Sequence, residues 1–580
     1  MEQTEITELV QALSGERASH VVIKNCSLVS VYTGEIIPDT DIAIYKSYVS
    51  YVGPDAAQMT GKDTRIIDAK NRYVAPGLAD PHTHIDQFIL PHHVARHAIS
   101  HGTTTLFSDP VDITSVCGYD GLVWFADACS MVQARVFNCI PGGVPVDPKL
   151  SSAKSMTQEQ IRNLMDRDDI FGMGEVFAWT KVIKQDIDTI QNMATIQEMG
   201  GIINGHTAGM SGTKLAIYAA SGITSCHEPI NYDQTIERLR MGMYVMVREG
   251  SIRRDLYGIL KEISSRRIDT SRLMLCTDGL NPTDMQAGHM DHCVREAIRA
   301  GVDPVQAISM ASLNVFRYYR MDHMLGGISV GRLADIILLN DMDSFDIGAT
   351  IIGGQISTNH NQTNKAPQWL YETVGMDMLS DTDLAVPAQG DEVAVNTILL
   401  QTEIITKLGR ATLPIQDGKV CATDTVWKVA AIKRDGTQKA LGFLENFGTK
   451  HGGMATTATF HDNDIIAIGN SDADMATAIN QVIKSRGATT AVIHGEIRAH
   501  MPLPIAGIIS EMEMDDVSEQ FVRVQQSFKE LGCTHREPHL IPLFLPFLAL
   551  PSIRIQSNGL INVKDGAIIP TIIPLSEAHV

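Results

Sequence analysis

From residue 72 to residue 279 the chain repeats one arrangement eight times: a short apolar run followed by a helical stretch. The runs are RYVAPGLADPHTH, TTTLFSDP, ARVFNCI, FGMGEVF, GIINGHT, ITSCHE, MYVMVREG and LMLCTDG. Strands alternating with helices signal parallel α/β architecture. Most of the runs carry a His, Asp or Glu at their ends, so chemistry-capable side chains collect at strand C-termini. A (β/α)8 barrel keeps its active site there. An open doubly wound sheet would need a Gly-rich phosphate loop after the first strand, and the sequence has none.

The expected fold is therefore α/β: a (β/α)8 metal-dependent hydrolase barrel, a small β-sandwich domain built from segments flanking it, and a C-terminal α/β domain. The boundaries read 1–73 for the first part of the β-domain, 74–325 for the barrel, 326–385 for the second β part and linker, and 386–580 for the C-terminal domain. Residues 345 to about 395, rich in Asn, Gln, Thr, Asp and Gly, read as connecting material. In the last domain IIAIG, SDADMATAINQVIKSRG and TTAVIHG read as strand, helix, strand, with Ser471 as cap and Met475, Ile479, Val482 and Ile483 at helical spacing.

At 580 residues the chain is long enough for several cores. Its formal charge of -20 opposes a grip on nucleic acid or anionic lipid. No apolar run approaches the roughly 20 residues of a membrane span. The start MEQTEITELVQALSGER lacks the layout of a secretory signal, and nine cysteines without a CxxC pair make no disulfide framework. The expectation is a cytoplasmic protein acting on a small molecule, with no nucleic-acid or membrane partner.

His82 and His84 flank Thr83 at the end of the first barrel strand, where residues i and i+2 point to one side. A lone HxH is weak. Glu175, His206, His227 and Asp278 each end a later strand, so folding would bring four more His or carboxylate groups to the same mouth. Imidazole and carboxylate are ligand types shared by zinc, iron and manganese. A divalent ion lowers the pKa of bound water from 15.7 towards about 7, which makes hydrolysis the natural chemistry. Glu175 could bridge two ions, and Asp278 could ligate one and shuttle the proton. The plainer alternative, six buried polar residues with structural duties, is hard to sustain for all six together.

These residues sit in long ordered stretches: PGLADPHTHID, HGTTTLFSDP, GEVF, NGHTAGMSGTKLAIYAASGITSCHE, LRMGMYVMVREGS, LCTDGLNP, GHMDHCVREAI, GGMATTATFHDND and MPLPIAGIIS. In them the chain resembles the bacterial adenine deaminases of the amidohydrolase superfamily, from about residue 20 to 570 and least between 345 and 440. The resemblance implies a two-metal site holding manganese or iron, with zinc possible, in which His82, His84, Glu175, His206, His227 and Asp278 match the ligand positions. It also implies hydrolysis of adenine to hypoxanthine and ammonia, and a homo-oligomer, a dimer being favoured.

Four departures bear on the substrate. Where the family reads DPHE, this chain has Asp109, Pro110, Val111 and Asp112; where it reads TDD, it has Thr277, Asp278 and Gly279. A C-terminal HDSHN becomes His461, Asp462, Asn463, Asp464 and Ile465, and Asp86 stands in a Glu place. None removes an expected ligand. The expected substrate is adenine or a related 6-substituted purine; other readings are another cyclic amidine, amide or lactam, or a non-catalytic purine-binding scaffold, which has no need of six ligands. Asp112, Glu249, Ser251, His289 and His461 are the candidates for substrate contact. Arg248 is a further one, with a structural salt bridge as its alternative. His92, His93, His97 and His101 read as solvated or locally bonded, and Cys226 and Cys276 as packing residues.

Overall fold

The computed structural model describes residues 3–266, 268–357 and 365–577. Eight parallel segments make the barrel: Leu78–His84, Thr103–Ser108, Arg135–Ile140, Ile170–Val176, Ile202–Gly205, Ser225–Cys226, Tyr244–Arg248, and Leu273–Cys276 continued by Asp278–Gly279. All eight coincide with the runs read from the sequence. Closure comes from the last segment, where Asp278 pairs with Thr83 and Gly279 with His84 in parallel register. Thr103–Ser108 is buried at every residue, as expected of a parallel strand covered on both faces.

Aromatic side chains fill the barrel. Phe107 stacks on Tyr319 with ring centroids 3.6 Å apart, and Phe137 and Phe171 pack beside Phe107. The Tyr319 hydroxyl donates to the Pro81 carbonyl at 2.6 Å and accepts from Asn204 at 3.0 Å. This polar plug fixes the first strand one residue before His82.

Segments from both sides of the barrel share one eight-stranded sheet. Tyr73–Pro76 pairs antiparallel with Ile336–Asp341, Val74 opposite Leu338. The sheet continues into Asp346–Ile352 and Gln355–Ile356, so these residues are strands and not the connecting material expected. Hairpin pairing with Ile336–Asp341 settles their conformation, which composition averaged over fifty residues concealed.

In the C-terminal part a ten-stranded sheet contains Asp464–Gly469 and Ala488–Ile493, joined by the helix Asp472–Lys484. Ser471 Oγ caps that helix by accepting from Asp474 N, and Met475, Ile479 and Val482 are fully buried beneath it. Gly453–Thr456 lies antiparallel between the two strands. The C-terminal part packs on the barrel mouth: Phe88 N donates to Ile508 O at 2.8 Å, and Ser510 N donates to Phe88 O at 3.0 Å. Among the described residues no helix is long and apolar enough to cross a membrane.

Candidate active site

The six expected ligands meet at the C-terminal mouth of the barrel. The first strand ends under the control of Asp80, a fully buried carboxylate whose Oδ1 accepts from Thr277 N at 3.2 Å and His82 N at 3.4 Å. Asp80 thus ties the end of the eighth strand to that of the first. Beyond Thr277 the chain enters a left-handed conformation, with Asp278 at φ +60°, a strained backbone of the kind concentrated at functional sites. The turn lets Asp278 face the HxH pair.

Three overlapping donor groups result: His82, His84 and Asp278; His82, Glu175 and His227; His206, His227 and Glu228, each with its donor atoms within 4.8 Å of one another. Asp278 Oδ1 lies 3.6 Å from His82 Nε2 and 3.3 Å from His84 Nε2. Glu175 Oε1 is 3.6 Å from His84 Nε2, while its Oε2 is 3.1 Å from His227 Nε2 and 2.6 Å from His206 Nδ1.

The site has the features of a divalent metal centre. His82 Nε2 is buried with no hydrogen-bond partner, since the 3.6 Å to Asp278 is too long for one. An ion bound at roughly 2.1 Å in a tetrahedron sets its donors about 3.4 Å apart, near most of these separations. The neighbours of the ligands also fit. His84 Nδ1 donates to the Asp109 carbonyl at 2.8 Å, leaving Nε2 as the bare donor. Asp109 Oδ2 accepts from Glu175 N at 2.8 Å.

Neighbouring cations and imidazoles keep the cluster's carboxylates ionised. Burial opposes ionisation of Asp278, yet Arg248, His82 and His84 hold its carboxyl well below the usual range. Glu175 is likewise held low against burial, by His206 and His227. Burial pushes His82 down to about 4, with His227 adding to the effect, so this imidazole is neutral.

Glu228 and its link to Arg248 are absent from the sequence expectations. The Arg248 guanidinium is buried and places Nη1 2.6 Å from Glu228 Oε1 and 2.5 Å from Asp278 Oδ2; its salt-bridge partners are these two, not the neighbouring Glu249. The strand Ser225–Cys226 ends before His227, so strand alternation no longer governs 227 and 228, and both side chains reach the cluster. The adjacent His-Glu pair was the available signal.

The other candidates lie at graded distances. The C-terminal part reaches the mouth: His461 N donates to Asp112 Oδ1 at 3.1 Å, and the Phe460 ring sits 6.1 Å from that of His84. His461 has φ +56°, is enclosed by Phe177 and Phe547, and leaves Nδ1 buried without a partner. Glu249 is at the rim, 3.9 Å from His292, with burial raising its carboxyl to about 7. Ser251 is turned away, donating to Asp284 at 2.6 Å and accepting from Asn281 N at 2.7 Å. His289 is buried against Thr103, 3.1 Å away, behind Asp80.

Val111 is 1% exposed. A Cβ at Gly279 would meet only His84 Cδ2, at 4.0 Å. The crossover histidines are locally engaged, His93 with Arg96 and Glu513 and His101 with Asp291. Cys226 and Cys276 are fully buried.

Comparison with known proteins follows this division. Residues 73–357 match the amidohydrolase family and residues 403–567 the adenine deaminase C-terminal domain. An adenine deaminase of Cenarchaeum symbiosum is 46% identical, covering 98% of this chain and 95% of its own. Those of Moorella thermoacetica and a Ruegeria species are each 32% identical, covering 96% of both chains and 98% of both chains, respectively.

Proposed function

The chain belongs to the adenine deaminase family, and we propose that it hydrolyses adenine to hypoxanthine and ammonia at a site for two divalent ions. The observation that carries the reading is the division of Glu175 between two donor sets. Its Oε1 faces His84, beside His82 and Asp278; its Oε2 faces His206 and His227. His82, His84, Glu175 and Asp278 would hold an inner ion, and His206, His227 and Glu175 an outer one. Nitrogen and carboxylate donors together suit manganese or iron.

Divalent ions supply water of lowered pKa, from 15.7 towards about 7, as a nucleophile at neutral pH. Asp278 provides the proton path: Oδ2 is occupied by Arg248, while Oδ1 faces the inner position. It accepts the proton from the attacking water and returns it to the departing amino group. The water oxygen bonds C6, the C6–N6 bond breaks, and ammonia leaves. His461, with a buried unpartnered nitrogen, contacts the purine ring, and Asp112 holds it by the backbone. Glu249 lies at the rim as a further substrate contact.

A second substrate class, N6-substituted purines, is suggested by the glycine at 279, where even a Cβ would touch only His84 Cδ2, at 4.0 Å. The test is formation of hypoxanthine and ammonia from adenine and from N6-substituted purines by metal-replete protein. Release from neither, at full metal content, would refute the proposal.

A further inference from the structure

The donors of the outer position do not end with His206, His227 and Glu175. Glu228 Oε1 lies 3.5 Å from His227 Nε2 and 3.9 Å from His206 Nδ1. Both separations are beyond hydrogen-bond range and near the roughly 3.4 Å edge of a tetrahedral donor set. His206, His227 and Glu228 form one donor group, its donor atoms all within 4.8 Å of one another, and Glu175 Oε2 also approaches the same two nitrogens. The Glu228 side chain is 5% exposed, and a carboxylate that deep is held among cations, the Arg248 guanidinium being one of them at 2.6 Å.

We propose that Glu228 is a fourth protein ligand of the outer ion, with Arg248 as the residue that positions it; the inference rests on the two-ion reading above. Arg248 Nη1 contacts Glu228 Oε1 and Asp278 Oδ2 at once. One guanidinium therefore orients a carboxylate of each ion position and ties the two together. Charge supports the assignment. With neutral imidazoles, the cluster brings three carboxylates and one guanidinium, a net charge of about -2 for two dications. Without Glu228 the guanidinium would cancel half of the remaining charge.

The competing possibility is that Glu228 is only the counter-ion of Arg248, and the two roles separate in a double variant. Manganese is added to the metal-free protein, excess is removed, and bound metal is counted by elemental analysis, with thermal melting to verify folding. Wild type is expected to hold two ions, Glu228→Gln one, and Glu228→Gln with Arg248→Gln still one. Recovery of two ions in the double variant, or two ions in Glu228→Gln itself, overturns the proposal while leaving the two-ion site standing. A wild type holding a single ion overturns both. Should the Gln variants fail to fold, Glu228→Asp keeps the charge: it should lose its second manganese to at least about 10-fold less chelator than wild type, and unchanged retention overturns the proposal.

Discussion

His84 donates its Nδ1 proton to the main-chain carbonyl of Asp109, 2.8 Å away, and the Asp109 carboxylate accepts from the main-chain N–H of Glu175 at 2.8 Å. One residue at the end of the second strand thus orients His84 from the first strand and Glu175 from the fourth. Asp109→Ala removes the carboxylate but keeps the carbonyl. It should weaken metal retention about 10- to 100-fold, the usual cost of losing a residue that supports a ligand; Asp109→Asn, which keeps an acceptor, should lose less. Chelator competition measures both, and equal retention by wild type and Asp109→Ala would remove Asp109 from the metal site.

Asp278→Asn should lower turnover by about 10²-fold or more, as expected for a proton-transfer group. The buried Arg248 keeps Glu228 as a partner, so thermal stability should move far less than activity. The decisive comparison is kcat with metal content measured on the same sample. Near wild-type turnover with ions retained would take Asp278 out of the mechanism.

Space decides the substrate prediction. A Cβ at 279 meets only His84 Cδ2, at 4.0 Å, and Gly279→Asp should shift kcat/KM towards adenine and away from N6-methyladenine. Val111→His is a different matter, because Val111 is buried at 1% exposure and a larger side chain there should cost about 1–3 kcal/mol in strain. An unchanged ratio in Gly279→Asp would show that position 279 lies outside substrate reach.

Asp464 gives a pH signature. Burial, reinforced by Asp462, raises its carboxyl to about 7 from 3.8. The folded state therefore holds a proton that the unfolded state releases, and wild-type stability falls as pH rises from about 4 to about 7. Asp464→Asn keeps an acceptor for Ser557 N and lacks this loss. Its Tm relative to wild type should rise between pH 5 and pH 8; a constant difference would contradict the shift.

The barrel and the convergence of the six His and carboxylate side chains were legible because strands alternating with helices fix the architecture, and chemical side chains at strand ends must meet. Glu228 was hidden by its place after His227: in a continuing strand it would face away, but the strand stops at Cys226. Ser251 misled for the complementary reason, since proximity to a strand end does not stop a side chain from bonding Asp284 instead. The reach of His461 to Asp112 spans two parts of the chain, a separation no local pattern encodes. Strand pairing, likewise nonlocal, made strands of Asp346–Ile352 and Gln355–Ile356.

The proposed adenine hydrolysis needs both ions, and a metal titration of activity is its test. Manganese is added stepwise to metal-free protein while hypoxanthine formation from adenine is followed. Little turnover is expected through the first equivalent, with a rise that completes at the second. Full turnover after one equivalent, or no hypoxanthine at any loading, would contradict it.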